Sequence, residues 1–471
     1  MKRRLCVIVL IGSLGPVDLH AADPSDQGPA LNDQAALPDL NRPSDFRYQP
    51  NEMSGRIAAG VIETDNIERT ATDAMSDTIE EVSADVAIHE QTRRLDADVL
   101  SDLQYLSYAH HTYSNEVVGN FIGSGTFAIL PKEFEWVVLD NFGQQQLDPT
   151  DAVTPQNLEN INYFSTGPNL LIGLGPMTHA QVSVRFSNVY YQTSNLENNR
   201  GDASVALVRS LSATSNLSLN VAAERVLYDD TAANPDYTTQ EAYLRYDAQG
   251  ARSKLAVDLG YDDVAGLSTD GAGPLVHVDI SHVLSGSSLL DLSVGQDISD
   301  TSNLLRQMQS LNGLAVSASY LQAADDPFVN RYARVAWQFD RNRTHITFDV
   351  ARYQERHLED TGLNQVRTQT DANVRRDLAP ALTATIGVTY AKATFADAAD
   401  DYRGLIASAA LDWRVGRHLD LRAEYDRFDQ RADVVTNQFT ENRIGIALGW
   451  QVDSARSPAA LEHNGPKFPG L

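Results

Sequence analysis

Cysteine is almost absent from this chain, since the only one among 471 residues is Cys6. Its position near the start leaves the rest of the chain without a disulfide or a cysteine-ligated metal site. Long apolar runs are lacking as well, because nothing approaches the roughly 18 uncharged residues that a membrane-spanning helix needs. The sequence therefore predicts neither a disulfide-stapled fold nor a helical membrane anchor.

Basic residues are also scarce, with 37 Lys and Arg against 63 Asp and Glu and a formal net charge of -26. Binding to nucleic acid relies on clustered cations that neutralise phosphates, and no basic run offers such a patch. We therefore exclude nucleic acid as a partner. A negative excess of this size bears on solubility and long-range field rather than on fold.

The N-terminus begins MKRRLCVIVLIGSLG, a basic segment followed by a short apolar run, and small residues follow at Ala21 and Ala22. This pattern predicts a signal peptide over residues 1–22. Cys6 is not set in a lipoprotein cleavage site, so no lipid anchor is expected. Residues 23–54 are rich in Pro, Asp and Asn without a period, which predicts a flexible, disordered periplasmic tail.

Alternation of apolar and polar residues is the main pattern in the rest of the chain. In HLDLRAEYD, residues 418–426, apolar and charged side chains take turns, as they do in KLAVDLGYD, residues 254–262. Successive side chains of a strand point to opposite faces, so this period indicates strands with one apolar face. About twenty such segments follow one another between residues 55 and 452, which predicts an all-β series of hairpins.

The links between these segments alternate in length. Tight links such as VGRH, residues 415–418, alternate with long polar ones such as 65–76 and 302–327. Short turns on one rim and long loops on the other are typical of an outer-membrane barrel, whereas a soluble sandwich has no reason to alternate. We therefore predict a transmembrane up-and-down antiparallel β-barrel of about 20 strands at residues 55–452, with a C-terminal tail at 453–471.

Aromatic residues indicate two girdles at the membrane boundaries, where amphipathic rings are favoured. All four tryptophans fall near the tight-turn ends of their segments, and most tyrosines fall near the long-loop ends. The predicted outer set is Tyr108, Tyr113, Tyr163, Tyr190, Tyr228, Tyr237, Tyr261, Tyr353, Tyr390, Tyr402 and Tyr425.

The charged face of each strand should line the lumen, because charge in hydrocarbon is costly. A barrel of this size exceeds what side chains fill, so it is either water-filled or blocked. The two candidates for a plug are the N-terminal tail and the insertion 300–326, in which LLRQMQSL has helical spacing. The predicted lumen-facing charged residues are Arg185, Asp258, Asp279, Arg334, Asp349, Asp371, Arg414, Arg422, Glu424 and Asp426.

The last predicted strand contains RIGIALGW, residues 443–450, which resembles the C-terminal assembly signal of bacterial outer-membrane barrels. Arg443, Gly445, Leu448 and Trp450 occupy the polar, glycine and apolar end positions of that signal. The resemblance implies outer-membrane lipid and the barrel-assembly machinery as partners. It also implies the outer membrane of a Gram-negative bacterium as the destination after export.

A second resemblance covers about residues 55–250. The segments GRIAAGVIETDNIERT and NINYFSTGPNLLIGLG resemble outer-membrane barrels encoded beside bacterial exopolysaccharide and exosortase (PEP-CTERM) gene clusters. The resemblance implies a role in the export or surface handling of extracellular polysaccharide. Its motifs are strand and turn patterns, so no active site is carried over.

Candidate catalytic groups are few. His110 and His111 are adjacent and would point to opposite strand faces, and HEQTRR at 89–94 lacks the second histidine of HExxH. His277 with Asp279, and His345 with Asp349, could form acid–base pairs in the lumen but are more often ordinary polar residues. We expect no enzyme, no cofactor and no metal site.

Three classes of function remain open. The first is a porin-like conduit for polysaccharide or other polar solutes. The second is a structural or assembly barrel with an occluded lumen. The third, less favoured, is an enzyme carried on the barrel.

Overall fold

The computed structural model describes residues 52–231, 234–269, 271–310, 324 and 326–453. Twenty antiparallel strands form a single sheet in which each strand pairs with its neighbours along the chain. The last strand pairs with the first over eleven register positions from Ser54↔Asp453 to Thr64↔Arg443, which closes the sheet. The predicted all-β, up-and-down barrel of about 20 strands is confirmed. The predicted signal peptide, nearly all of the tail at 23–54 and nearly all of that at 453–471 lie outside the described residues.

The strands run 12 to 18 residues, long enough to cross a bilayer at a tilt. Their bounds are β1 Glu52–Thr64, β2 Asp77–Gln91, β3 Leu95–Tyr108, β4 Glu116–Leu130, β5 Phe134–Gln146, β6 Leu158–Gly175, β7 Thr178–Tyr191, β8 Asn198–Ser212, β9 Ser215–Tyr228, β10 Tyr237–Gln249, β11 Ser253–Ala265, β12 Gly271–Ser285, β13 Ser288–Ser299, β14 Phe328–Arg341, β15 Thr344–His357, β16 Gln365–Ala379, β17 Leu382–Phe395, β18 Tyr402–Arg414, β19 Leu419–Ala432 and β20 Phe439–Asp453.

The connections have two length classes, as the sequence predicts. Those at one rim are two to four residues long, and those at the other run from five residues to the 28 of residues 300–327. Both ends of the barrel sequence, Glu52 and Asp453, lie at the short-turn rim. We call this the periplasmic rim and the opposite one the external rim, because short periplasmic turns and longer external loops are the rule for such barrels.

The outer surface of the barrel is apolar. On β20, Ile446, Leu448 and Trp450 are all more than half exposed, whereas Ala447 and Arg443 on the other face of the strand are buried. Exposed Val, Leu, Ile and Phe recur in this way on strands all around the sheet. An apolar surface that encircles a protein far exceeds the patches of soluble monomers, so it faces lipid.

The tryptophan girdle lies at the short-turn rim, as predicted. Trp136, Trp413 and Trp450 are exposed on the outer surface near the periplasmic rim. The tyrosine prediction is right for the exposed Tyr190, Tyr261, Tyr390 and Tyr425 and wrong for a second group. The buried tyrosines of strands near the external rim are Tyr108, Tyr163, Tyr228, Tyr237 and Tyr402. The prediction is also wrong for Tyr113, which is buried in the loop after β3, and for Tyr353, which faces the lumen.

The buried tyrosines lie inside because their hydroxyls find polar partners there, as buried tyrosines usually do. Tyr108 donates to Glu116 at 2.6 Å, and Tyr163 donates to the hydroxyl of Ser187 at 3.2 Å. Position along a strand does not distinguish these residues from girdle tyrosines.

The first part of the long connection after β13 enters the barrel. It forms helix α1, Thr301–Ser310, whose Leu304 and Leu305 pack in one buried cluster with Ile161, Tyr163, Val189, Tyr191 and Phe328 of β6, β7 and β14. The prediction of an inward-folded insertion is confirmed for residues 300–306, where side chains are described. Within the part of the chain that the structure describes, no helix is long and apolar enough to span a membrane.

The described parts of the external loops contain four short 3-10 turns. They are Pro155–Asn157, Thr361–Leu363, Ala398–Asp400 and Val435–Asn437.

Candidate functional site

The lumen is lined by the polar face of the strands. All ten charged residues predicted to face it share the strand side of the buried positions. Several are paired there: Arg334 donates to Asp349 at 2.7 Å, and Arg422 donates to Glu424 at 2.8 Å. Arg185 donates to Asn169 at 2.6 Å. Arg414 lies at the periplasmic end of β18 and is exposed.

One part of the wall is strongly acidic. We call it the acidic sector and define it as the inward carboxylates of β10–β13. Two inward cations, Arg245 and Lys254, accompany them. Of these seven acids, only Asp258 and Asp279 are among the lumen-facing residues predicted above, because the sector is formed by residues that come together from neighbouring strands. The members are Glu241, Asp247, Asp258, Asp262, Asp279, Asp291 and Asp297.

Strand register places these acids at successive levels between the two rims. Asp291 is lowest, Asp279 pairs with Ser293 one level above, and Asp258 pairs with His277 one level above that. Asp297, two residues beyond Gly295, lies another level toward the external rim. Each level is two residues, or about 6.6–6.8 Å of strand. The sector therefore forms a continuous acidic track along much of the wall.

His277 lies at the middle of this track. Its Nδ1 is 3.5 Å from Asp258 and its Nε2 is 3.4 Å from Asp297. The predicted pair with Asp279 is therefore replaced by two carboxylates on neighbouring strands. The ring also stacks on Tyr332, with 6.1 Å between centroids.

Tyr332 lies flat on the wall because its cross-strand neighbour is a glycine. A Cβ at Gly295 would lie 2.4 Å from the Tyr332 ring, so a larger residue would displace it. Tyr353, opposite Tyr332 on β15, continues the aromatic surface at 6.5 Å. The lumen wall thus offers a flat aromatic face beside carboxylate acceptors.

Helix α1 is anchored inside the barrel by Asp300. Arg200 of β8 donates to both carboxylate oxygens, at 2.9 and 3.0 Å, and Tyr237 of β10 donates at 3.1 Å. The side chain of Asn303 donates at 2.8 Å, and its backbone N–H donates at 3.1 Å. Tyr191 and Ser302 add a hydroxyl contact at 2.9 Å. These contacts join α1 to β7, β8 and β10 at the external mouth.

The charged side chains around α1 lie beside groups of opposite charge. Burial would raise the pKa of Asp300, but the charge and hydrogen bonds of Arg200 outweigh burial and hold that pKa below its ordinary value. Burial likewise opposes the charge of Arg306, yet Tyr163, Glu224 and Asp202 raise its pKa. Asp300 and Arg306 are therefore ionised at neutral pH.

A second network ties the loop at 65–76 to the mouth. Arg69, whose φ is +54°, donates to Glu441 at 2.9 Å and to the carbonyl of Val153 at 2.6 Å. Its guanidinium lies 4.8 Å from the centre of the Phe428 ring. Burial is the largest effect on Arg69 and lowers its pKa. The loops 65–76 and 147–157 are thus held together over the external end of β20, where Glu441 lies.

The remaining histidine candidates have local partners at the rims. His110 contacts Asp77 at 2.9 Å, and His111 has the left-handed φ of +56° in the turn after β3. His345 contacts Asp340 rather than the predicted Asp349, which pairs with Arg334.

The HEQTRR segment, residues 89–94, spans the last three residues of β2 and the turn that follows. His89, Asp96 and Asp98 place ligand atoms within 4.8 Å of one another. His89 and Asp98 are in direct contact at 2.6 Å, and Gln91 donates to Asp96 at 3.4 Å.

The four residues that resemble an assembly signal lie on the closing strand. Gly445 and Trp450 pair with Ile62 and Ile57 of β1. Leu448 and Trp450 face lipid, whereas Arg443 faces inward and donates to Glu441 at 2.7 Å.

A closed 20-stranded barrel with an apolar exterior and a charged interior defines an outer-membrane β-barrel of porin-like type. The sequence model of a family described as "putative beta-barrel porin 2" matches residues 327–452, which comprise β14 to β20. A search of curated proteins finds no relative by sequence.

Solved barrels with similar folds include a mutant ferric enterobactin receptor, PfeA, from Pseudomonas aeruginosa, at 10% identity and a TM-score of 0.48, covering 85% of this chain and 80% of that one. The FrpB iron transporter from Neisseria meningitidis is similar at 9% identity and a TM-score of 0.47, covering 86% and 83%. Similarity at these identities and TM-scores does not indicate a solute for this protein.

Proposed function

We propose that this protein is a non-enzymatic outer-membrane passage for polar solutes. The observation that carries the proposal is the acidic sector, which lines the wall between the two rims. Seven carboxylates against two cations give this wall a formal negative charge, and a low-dielectric wall strengthens the field of such a charge. The passage should therefore favour cations and solutes rich in hydrogen-bond donors.

Extracellular polysaccharide is our first choice among donor-rich solutes. The resemblance to barrels encoded beside exopolysaccharide gene clusters suggests it, and saccharide hydroxyls are donors that carboxylates accept. The flat face of Tyr332 beside His277 and Asp258 offers an apolar surface next to such acceptors. Export or surface handling of the polymer, with barrel-assembly machinery as the insertion partner, completes the proposal.

A second candidate is a structural or assembly barrel whose lumen is occluded. The observation that favours it is α1, which lies inside the mouth and is fixed by Asp300 to Arg200 and Tyr237. Conductance distinguishes the two candidates, because only the passage conducts ions with α1 in place.

The test is single-channel recording of the full chain in planar bilayers under a KCl gradient at low ionic strength, where surface charge is least screened. We expect measurable conductance and a reversal potential on the cation-selective side. The variant D247N/D279N/D291N removes three acids of the sector, and its reversal potential should move toward zero.

The matched control E63Q/E80Q/D263N removes three exposed acids from the outward face and should retain the wild-type selectivity. Conductance near zero in a protein with intact heat-modifiable migration would reject the passage and favour the occluded barrel. If the channel conducts, soluble oligosaccharide added from the periplasmic side should reduce the current. Unchanged current would remove polysaccharide as the solute and leave the cation passage.

A further inference from the structure

Outward-facing cations are concentrated in one sector of the external rim. On β14–β19, seven such residues lie within six residues of the external strand ends. Among the described outward positions at the same rim of the other fourteen strands, Arg225 is the sole basic residue. The seven, all exposed, are Arg331, Arg352, Arg356, Lys392, Arg403, Arg427 and Arg431.

Four of these residues share one row of the sheet, which we call the cationic row. Lys392 is the cross-strand partner of Arg403, and Arg403 is the partner of Arg431. On the other side, Thr368 separates Lys392 from Arg352. With strands about 4.8 Å apart, the row Arg352 to Arg431 extends about 19 Å across five strands.

The cationic row is unfavourable by itself. Cross-strand partners have Cβ atoms about 5 Å apart, and like charges placed directly opposite destabilise a sheet. Arg431 pairs with Asp429 at 3.1 Å, and Arg352 donates to the neutral hydroxyl of Thr368 at 3.4 Å. Asp429 is thus the one carboxylate among the described contacts of these four cations, and an external anion would relieve their repulsion.

The chemistry directly below the row is that of a lipid boundary. Tyr390 and Leu405, two residues from Lys392 and Arg403 on the same outward face, are both at least 40% exposed. Tyr425 is similarly exposed on β19. Cations at the level of the headgroups, above aromatic and aliphatic residues at the level of the acyl chains, match an anionic lipid in the outer leaflet.

We propose that the cationic row binds the phosphates of an outer-leaflet phosphorylated glycolipid of the lipid A type. Arginine matches phosphate through paired, charge-assisted hydrogen bonds, and lysine adds a point charge. Two phosphates on one headgroup would bridge Lys392, Arg403 and Arg431. The inference rests on the outer-membrane location and is independent of whether the lumen conducts.

The test uses the full chain in neutral detergent micelles, with the midpoint of heat-modifiable gel migration as the measure of unfolding. Bisphosphorylated lipid A is titrated against the same lipid with both phosphates removed. A ligand that binds only the folded state raises the midpoint by mass action. The row variant K392Q/R403Q/R431Q should need at least tenfold more lipid A for the same rise, and without lipid it should unfold at the wild-type temperature or above.

The matched control R209Q/R225Q/R376Q removes three exposed outward arginines that lie outside the row and should respond like wild type. Where the triple row variant fails to fold, R403Q alone carries the test, because Arg403 lies between two other cations of the row, Lys392 and Arg431. Equal responses of the wild-type and row-variant proteins would overturn the proposal. Equal protection by the dephosphorylated lipid, or by inorganic phosphate alone, would overturn it too.

Discussion

The anchor of α1 can be broken by one near-isosteric change, Asp300→Asn. The carboxylate of Asp300 receives two hydrogen bonds from Arg200, at 2.9 and 3.0 Å, in a fully enclosed site. Removing one partner of a buried ion pair typically costs about 3–5 kcal/mol, because the other charge is left without compensation. The least costly response is for α1 to leave the lumen, since its insertion is what places Asp300 beside Arg200.

This cost predicts the open population, which is the fraction of molecules in which α1 has left the lumen. A loss of about 3–5 kcal/mol corresponds to a roughly 140- to 4000-fold rise in the open population, as each 1.4 kcal/mol is a factor of ten. Labelling of a buried cysteine at Ser302 by an impermeant maleimide measures that population, and Cys6, the only native cysteine, is replaced by serine. We expect S302C to be labelled at least about 100-fold faster in the D300N background.

Two controls make the reasoning testable. Asp349→Asn breaks another buried pair, that with Arg334 at 2.7 Å, and should weaken the barrel without changing labelling of S302C. The double variant R200Q/D300N removes both charges and should restore part of the protection, because no charge is then left unpaired. Equal labelling of S302C with and without D300N would show that Asp300 does not hold α1.

Three further predictions follow from charge, depth and backbone geometry. Because the pKa of Asp300 is held below its ordinary value, its stabilisation is present above about pH 4 and is lost as the pH falls through the lowered pKa. The labelling rate of S302C, divided by that of a free thiol at the same pH, should rise only there, and D300N should abolish that rise. Ile446→Arg, at mid-depth on the lipid face, should lower the free energy of unfolding in urea by about 2–4 kcal/mol. Thr440→Arg, near the rim of the same face, should lower it by only about 0–1 kcal/mol. Equal losses would contradict the assignment of that face to lipid. Gly119→Ala should lower the unfolding midpoint, since the φ of Gly119 is +121° and a Cβ would lie 1.9 Å from the carbonyl oxygen of Asp102. Gly125→Ala should leave the midpoint unchanged, because no atom lies within 4 Å of the added Cβ. Equal midpoints for the two variants would show that a side chain at residue 119 causes no strain.

The strands themselves are predictable from sequence because the signals for them are local. Alternation with a period of two identifies each strand, and link length identifies the rim. All twenty predicted starts fall within three residues of the observed ones; they are residues 55, 77, 92, 114, 132, 160, 178, 200, 214, 237, 252, 273, 287, 328, 342, 363, 380, 401, 417 and 438. Residues 237 and 328, predicted as strand starts, begin β10 and β14. The faces follow from the same alternation, which is why the predicted lumen charges lie on the inward side.

Partners across the barrel are not predictable in this way. Asp300 and Arg200 are 100 residues apart, and nothing in either local sequence indicates the pair. Alternation alone predicts that Asp420 is a hydrated lumen residue and that Asp420→Asn has almost no effect on assembly. The structure instead buries Asp420 and pairs it with Arg56 at 2.9 Å, so that change should destabilise the barrel. The positions of tyrosines fail for the same reason, because burial depends on hydroxyl partners on other strands.

The two faces of this sheet carry opposite unmatched charges, and the alternation of strands keeps them separate. Inside, the acids of β10–β13 outnumber the cations beside them, and outside, Lys392, Arg403 and Arg431 stand in one row with a single acid, Asp429. Residues on opposite faces do not share neighbours, so changes to the cationic row leave the lumen wall intact. Loss of lipid A binding and loss of cation selectivity should therefore be separable by mutation. A row variant that altered selectivity, in a barrel of unchanged fold, would show that charge on one face acts through the sheet on the other.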